Sequence, residues 1–529
     1  MKKSILKLLS CIAALTVFCG CGSAQDEAFV NMDEEKPTPT MAVCEAEEEY
    51  ISEGYYPDTA PAEEYNTEEY NYYTENGYTT VSTSPLSTFS ADVDTASYTN
   101  VRRMIYSGKR IDPDSVRIEE MINYFDYDYP SPEAGEPFSI TTEISDCPWN
   151  DNNKLMMIGI STYKGSAASD DRAPMNLVFL IDVSGSMYSD DKLPLVQKAF
   201  SMLTENLSPA DRISIVTYAG SDEIKLEGAD GNDSARILDV INSLEAGGST
   251  AGAAGINTAY EIAEKYFIEG GNNRIILATD GDLNVGISSE AELTRLVEEK
   301  REKGVFLSVL GFGSGNYKDN RLEAIADHGN GNYSYIDSER EARKVLVDEM
   351  SSTLITVAKD VKFQVEFNPA NVKGYRLIGY ENRVMADEDF NDDTKDAGEI
   401  GAGHSVTVLY ELIPAGSEME IGTELKYSST SEGVSGDELL TVSIRYKEPD
   451  GETSRLISKA VKRSDYSYVM SEDLTFAAGV AEFGMLLRNS KYIGDITFGN
   501  IATQLSEYDY SSDEFKDEFI YLVNTMKRR

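Results

Sequence analysis

Between residues 172 and 356, apolar runs of strand length alternate with segments whose apolar residues recur at helical spacing. The runs fall at residues 175–181, 212–218, 273–278 and 305–311, with a shorter one at 333–336. Between them, Ile237, Val240, Ile241 and Leu244 lie at i, i+3, i+4 and i+7, and Ile256, Tyr260, Ala263 and Phe267 repeat the spacing. A last helix carries Ala342, Val345, Leu346, Met350 and Leu354 on one stripe. Near-continuous apolar strands are buried on both faces, so the alternation predicts a doubly wound α/β (Rossmann-like) domain over residues 172–357 with a mostly parallel sheet. Ligands of such a sheet bind beyond the carboxyl ends of its strands.

The flanks read differently. Past residue 358 the period becomes two: Val361, Phe363, Val365 and Phe367, then Val406, Val408 and Tyr410, then Leu440, Val442, Ile444 and Tyr446. From about Ser471 helical spacing returns through Phe476, Val480, Phe483 and Leu487, then Phe515, Phe519 and Leu522. Residues 358–529 are therefore predicted to be β-sandwich-like and then helical. Upstream, residues 86–171 predict a small α/β extension: a short strand and a capped helix around Thr88 to Tyr98, then a second helix through residues 116–125 that stops near Pro130. Asp92 and Asp94 read as a helix cap and a solvent-facing acid rather than a second metal pair.

Residues 22–85 hold sixteen acidic residues, one basic residue (Lys36) and eight tyrosines, with almost no aliphatic periodicity. Such a segment cannot offset its ordering entropy, which predicts a disordered, solvated tether. Residues 1–21 begin with Lys2, Lys3 and Lys7 and continue into an apolar run, residues 11–18, too short to span a bilayer. Phe18-Cys19-Gly20-Cys21 then resembles a lipobox, so the layout is that of a bacterial secretory signal with Cys21 as the lipidated mature N-terminus.

The chain has 529 residues, 92 of them acidic and 47 basic, for a net charge of -45. Nucleic acid and anionic membrane surfaces would be repelled, whereas divalent cations would be attracted. Of five cysteines, Cys11 and Cys19 leave with the signal and Cys21 takes the lipid. Cys44 and Cys147 remain, and both a disulfide and two free thiols stay open. With only two histidines, His328 and His404, and no zinc spacing, imidazole-based metal chemistry is set aside.

The chemistry concentrates at strand ends. The run 177–181 leads into Asp182-Val183-Ser184-Gly185-Ser186, which points a carboxylate and two hydroxyls at one spot. Gly247-Gly248-Ser249-Thr250 opens a helix at the same predicted edge, and Asp280 follows the strand through Arg274-Ile275-Ile276-Leu277. Hard oxygen donors of this kind suit Mg²⁺, with Mn²⁺ or Ca²⁺ as alternatives. The pattern resembles the metal-ion-dependent adhesion site (MIDAS) of von Willebrand factor type A (VWA) domains. The resemblance implies direct metal binding by Ser184 and Ser186, binding by Thr250 directly or through water, and metal-bound waters held by Asp182 and Asp280. Residues 89–129, Glu366-Phe367-Asn368-Pro369-Ala370, Arg376-Leu377-Ile378-Gly379-Tyr380-Glu381-Asn382 and residues 396–404 further resemble bacterial VWA lipoproteins with dedicated extensions on both sides of the central domain.

Other motifs fall short. Gly311-Phe312-Gly313-Ser314-Gly315-Asn316 lacks the last glycine of a dinucleotide loop, and Asp387, Asp389 and Asn391 lack the glycine and glutamate of a calcium loop. No nucleophile elbow surrounds Ser184 or Ser186. The expectation is a non-enzymatic protein, lipid-anchored at the cell envelope, whose metal engages an acidic side chain of a protein partner. By analogy, the helix over residues 339–355 would act as a switch. The alternatives are a structural envelope component with a stabilising metal and a metal-dependent hydrolase.

Overall fold

The computed structural model describes residues 67–163, 173–248, 252–281, 290–315, 317–349, 356–421, 433–449 and 451–529. At its centre is a six-stranded sheet with the spatial order Tyr333–Ile336, Val305–Phe312, Asn272–Thr279, Met175–Asp182, Arg212–Tyr218, Asp222–Asp230. All neighbours are parallel except the last pair. Alternate residues of the central strand serve opposite cores. Leu177, Phe179 and Ile181 pack with the helices Leu193–Thr204 and Ser234–Asn242, while Val178 and Leu180 pack with Gly252–Lys265, Glu290–Glu302 and Asp319–His328. Two-sided burial is why the run reads as continuously apolar. The edge strand Asp222–Asp230 is half exposed and carries five charged residues, so apolar periodicity did not reveal it.

The last helix of this domain starts where its apolar stripe predicts. It runs Glu339–Arg343 and then widens into a π-helical turn, Lys344–Asp348. Met350 and Leu354 lie outside the described residues.

The two flanking segments interleave in space. One antiparallel sheet has the order Thr79–Thr80, Val372–Ile378, Ser405–Pro414, Lys154–Thr162, Phe138–Asp146, so it draws strands from both sides of the central domain. The facing sheet joins Gly398–Gly401, Thr356–Phe367, Glu438–Lys447 and Arg455–Lys462, and Leu86–Ser90 pairs with Thr356–Phe367. Met156, Ile158 and Ile160 point into the sandwich with Phe363, Val365 and Val442, while Leu155 and Met157 point the other way. That second side is covered by a helical layer made of Ala96–Tyr106, Ile118–Asn123, Glu472–Leu487, Phe498–Leu505 and Glu514–Met526.

Residues 67–85, expected to belong to the tether, are docked. Thr79–Thr80 adds a strand beside Val372–Ile378. Glu68 receives both terminal nitrogens of Arg103, at 2.8 and 3.0 Å, and the Gly315 amide at 2.9 Å. Burial opposes its ionisation, but Arg103 and the Gly315 amide outweigh that and hold the carboxyl at about 2. Specific partners order a polar segment that has no apolar period of its own. Residues 22–66 lie outside the described residues, as does the expected signal with Cys21.

Buried arginines join the central domain to its flanks. Arg102, 1% exposed, reaches Asp337 through Nε (2.8 Å) and Nη2 (2.6 Å), Glu341 (2.8 Å), Glu518 (3.1 Å) and the Tyr124 hydroxyl (2.9 Å). Asp92 and Asp94 are buried rather than solvent-facing: Arg383 pairs with both, at 2.9 and 3.1 Å, and Asp94 also accepts the Tyr333 amide at 2.8 Å. Thr95, not either aspartate, holds the cap position of the following helix. Cys147 is a buried free thiol whose pKa burial pushes up, which keeps it protonated, and Cys44 lies outside the described residues.

Candidate metal centre

Asp182 is the last residue of the central strand Met175–Asp182 and is fully buried. Its Oδ1 accepts the Ser184 amide at 2.9 Å, which turns the chain so that both following hydroxyls converge. Ser184 Oγ lies 3.0 Å from Ser186 Oγ. The other carboxylate oxygen of Asp182 accepts the Thr279 hydroxyl at 3.3 Å, linking it to the neighbouring strand end.

Backbone bonds lace this loop to two others. Val183 donates to the Tyr218 carbonyl at 3.0 Å, Gly247 donates to the Val183 carbonyl at 2.8 Å, and Gly185 donates to the Gly248 carbonyl at 3.1 Å. The glycine turn is thus seated against the serine loop. Thr250, the expected ligand that follows it, lies outside the described residues, as do Ser249 and Asp282.

Asp280 follows the adjacent strand Asn272–Thr279 and is 2% exposed. The turn after it depends on Gly281, whose φ of +98° favours glycine and whose Cβ, if present, would stand 2.6 Å from the Lys318 amide nitrogen. Four of the five predicted metal residues, Asp182, Ser184, Ser186 and Asp280, therefore sit on loops at the carboxyl edge of two neighbouring parallel strands. Sequence reasoning missed two others. Thr279 orients Asp182, and Lys192 places its Nζ 2.9 Å from Asp280 Oδ2. The signal for Lys192 was the single cation in Ser189-Asp190-Asp191-Lys192, just beyond Ser186 at the start of a helix.

Burial pushes the Asp182 carboxyl up to about 6; the Ser184 hydrogen bonds oppose this and the Asp280 charge adds to it. A carboxylate so placed lacks a counter-charge of its own, which fits a cation site. All donors are hard oxygens, and the pair of hydroxyls has no imidazole partner, so the donor set fits a hard divalent ion and not zinc chemistry of the Cys or His kind. Among the described residues no cluster of three or more His, Cys, Asp or Glu side chains could hold a metal.

The family profile described as von Willebrand factor type A domain matches residues 176–349, the von Willebrand factor profile matches residues 64–157, and the profile for the C-terminal part of the uncharacterized protein YfbK matches residues 352–528. The uncharacterized protein YfbK of Escherichia coli (strain K12) is 44% identical over 454 residues, covering 84% of this chain and 78% of that protein. The uncharacterized protein sll0103 of Synechocystis sp. (strain ATCC 27184 / PCC 6803 / Kazusa) is 31% identical over 192 residues, covering 36% and 44% respectively. The solved von Willebrand factor type A structure from Catenulispora acidiphila is 15% identical with a TM-score of 0.41, covering 76% of this chain and 91% of that one.

Proposed function

Since this chain belongs to the family of the Escherichia coli protein YfbK, a bacterial VWA protein with a dedicated C-terminal domain, we propose that it is a metal-dependent protein-binding module of the cell envelope. One observation carries this: two buried carboxylates and two hydroxyls 3.0 Å apart meet at the carboxyl edge of the central sheet, with Ser186 open to solvent. Ser184, Ser186 and Thr250 would hold the ion, Mg²⁺ by donor hardness with Mn²⁺ or Ca²⁺ as substitutes, and Asp182 and Asp280 would hold its waters. The bound ion supplies a positive, electrophilic point toward the acidic side chain of a partner protein. Tyr188, 82% exposed two residues beyond Ser186, offers that partner an aromatic contact of the kind that dominates interface energetics.

The support for binding rather than catalysis is chemical. The serine hydroxyls face each other, the Asp182 carboxylate that Ser184 hydrogen-bonds to is also engaged by the Ser184 amide and the Thr279 hydroxyl, and Asp280 is held by Lys192. Cys21 would carry the lipid that places the module on the outer side of a bacterial membrane. The test is capture from envelope extracts in Mg²⁺ with the full chain. The same partner should be retained in Mg²⁺, released by EDTA and absent with Ser184→Ala/Ser186→Ala; undiminished capture by the double variant or in EDTA removes the proposal.

A further inference from the structure

Resting on that metal site, we infer that Lys192 is a built-in counter-charge that weakens the hold on the ion and strengthens the hold on an acidic ligand. Its Nζ stands 2.9 Å from Asp280 Oδ2, with the lysine side chain 10% exposed and the aspartate side chain fully buried. The fold makes room for it. Gly313, at φ +74°, lies under the lysine stem, where a Cβ would collide with Lys192 Cε and Cγ. The cation is thus threaded inward from the start of the helix Leu193–Thr204 instead of extending into water, as an unconstrained lysine would.

The consequence follows from the charge count. Asp182 and Asp280 bring two negative charges, and a divalent ion cancels them. Ser184 and Ser186 add none. Counted over these described residues, the loaded site would be neutral without Lys192, and with it keeps one positive charge beside the buried Asp280 carboxylate, where screening is weak. That excess repels the incoming ion and attracts a carboxylate. It also acts where it is needed, because a chain with a net charge of -45 repels acidic partners at long range. Before the ion enters, the ammonium offsets part of the cost of the buried Asp280 charge. Ion and carboxylate then bind with positive, reciprocal coupling.

The test uses the full chain with Mn²⁺ as the ion and acetate as the minimal carboxylate. Free Mn²⁺ is counted by electron paramagnetic resonance, and acetate binding is read from water-proton relaxation by the bound ion. Lys192→Met keeps the stem over Gly313 and removes the charge; it should bind Mn²⁺ roughly tenfold more tightly and acetate roughly tenfold more weakly, while Lys192→Arg follows the wild type. A lysine that merely props up the loop predicts the opposite sign for the metal. If Lys192→Met lacks a cooperative melt in EDTA, Lys192→Gln takes its place. Equal or weaker Mn²⁺ binding, or unchanged acetate binding, overturns the role of Lys192 alone, provided that Ser184→Ala/Ser186→Ala loses Mn²⁺. A wild type that binds no Mn²⁺ overturns the metal site and this inference together.

Discussion

Glu482 is the side chain whose environment conflicts most with its charge. It lies in the helix Glu472–Leu487, 1% exposed, in the core of the helical layer. Among the described residues neither carboxylate oxygen meets hydrogen-bond geometry, and the nearby Gln504 side chain, which favours ionisation slightly, gives its amide proton to the Thr475 carbonyl at 3.1 Å. Burial pushes the carboxyl from 4.5 up to about 8. The folded chain therefore keeps this proton over a range in which the unfolded chain has lost it. Stability is unaffected below about pH 4, declines as the pH rises toward 8, and is flat above that. At ~1.36 kcal/mol per pH unit, the full span is worth about 5 kcal/mol, an upper value because water penetration relieves part of it.

Glu482→Gln keeps the shape and removes the ionisation. With an unfolding entropy near ~1 kcal/mol/K for a unit of this size, the gain in melting temperature is expected to be about 2–4 °C at pH 8.5 and close to zero at pH 5. Melting of wild type and variant is followed by circular dichroism in EDTA at both pH values, so that metal occupancy does not enter. A gain of equal size at pH 5 and pH 8.5 would mean that packing and not charge is responsible. A lower melting temperature for the variant at pH 8.5 would refute the burial argument outright.

Two further outcomes follow from the buried ion pairs. Glu68→Gln removes the charge that Arg103 and the Gly315 amide hold ionised; the docked segment at residues 67–80 should become sensitive to limited proteolysis, at a cost of about 2 kcal/mol. Because that carboxyl sits at about 2, acid should reproduce the release in the wild type only as the pH falls below about 4. Arg102→Ala leaves Asp337, Glu341 and Glu518 without their shared cation, and a loss of about 3–5 kcal/mol is expected in urea denaturation followed by intrinsic fluorescence.

The central domain was legible because its signals are local. Strands buried on both faces give unbroken apolar runs, and Asp182 and Asp280 sit directly at the ends of two of them. The flanks were legible as strands and helices but not as an assembly. Period-two patterning marks Thr356–Phe367 as a strand, yet nothing local says that it pairs with Leu86–Ser90 across some 270 residues of intervening chain. Residues 67–85 escaped for a related reason: they are held by Arg103, Gly315, Lys318 and Gly379, partners far off in sequence, and not by a core face of their own. Lys192 is a case of the same kind, since an acidic stretch with one lysine reads as a solvated surface until Gly313 is seen beneath it.

The same buried pairs constrain how this protein can respond to a ligand. Sequence resemblance suggested a moving last helix, but here Asp337 and Glu341, at the start of that helix, share Arg102 with Tyr124 of the N-terminal extension and Glu518 of the last C-terminal helix. Displacing the helix start separates buried charges at about 3–5 kcal/mol, which a ligand must supply as differential affinity. The stretch that carries Gly313, Gly315, Tyr317 and Lys318 offers another route. It touches Lys192 through Gly313 and the Asp280 turn through Lys318, and it holds the docked segment through Gly315 and Tyr317. Thr67 and Glu69 each donate one backbone hydrogen bond to it, worth about 1 kcal/mol net, and the Gly315 amide bond to the buried Glu68 carboxylate is charge-assisted and worth about 1.5–3 kcal/mol. A change at the Asp280 turn therefore has a second route, to the docked segment at residues 67–69, that leaves the buried Arg102 cluster in place.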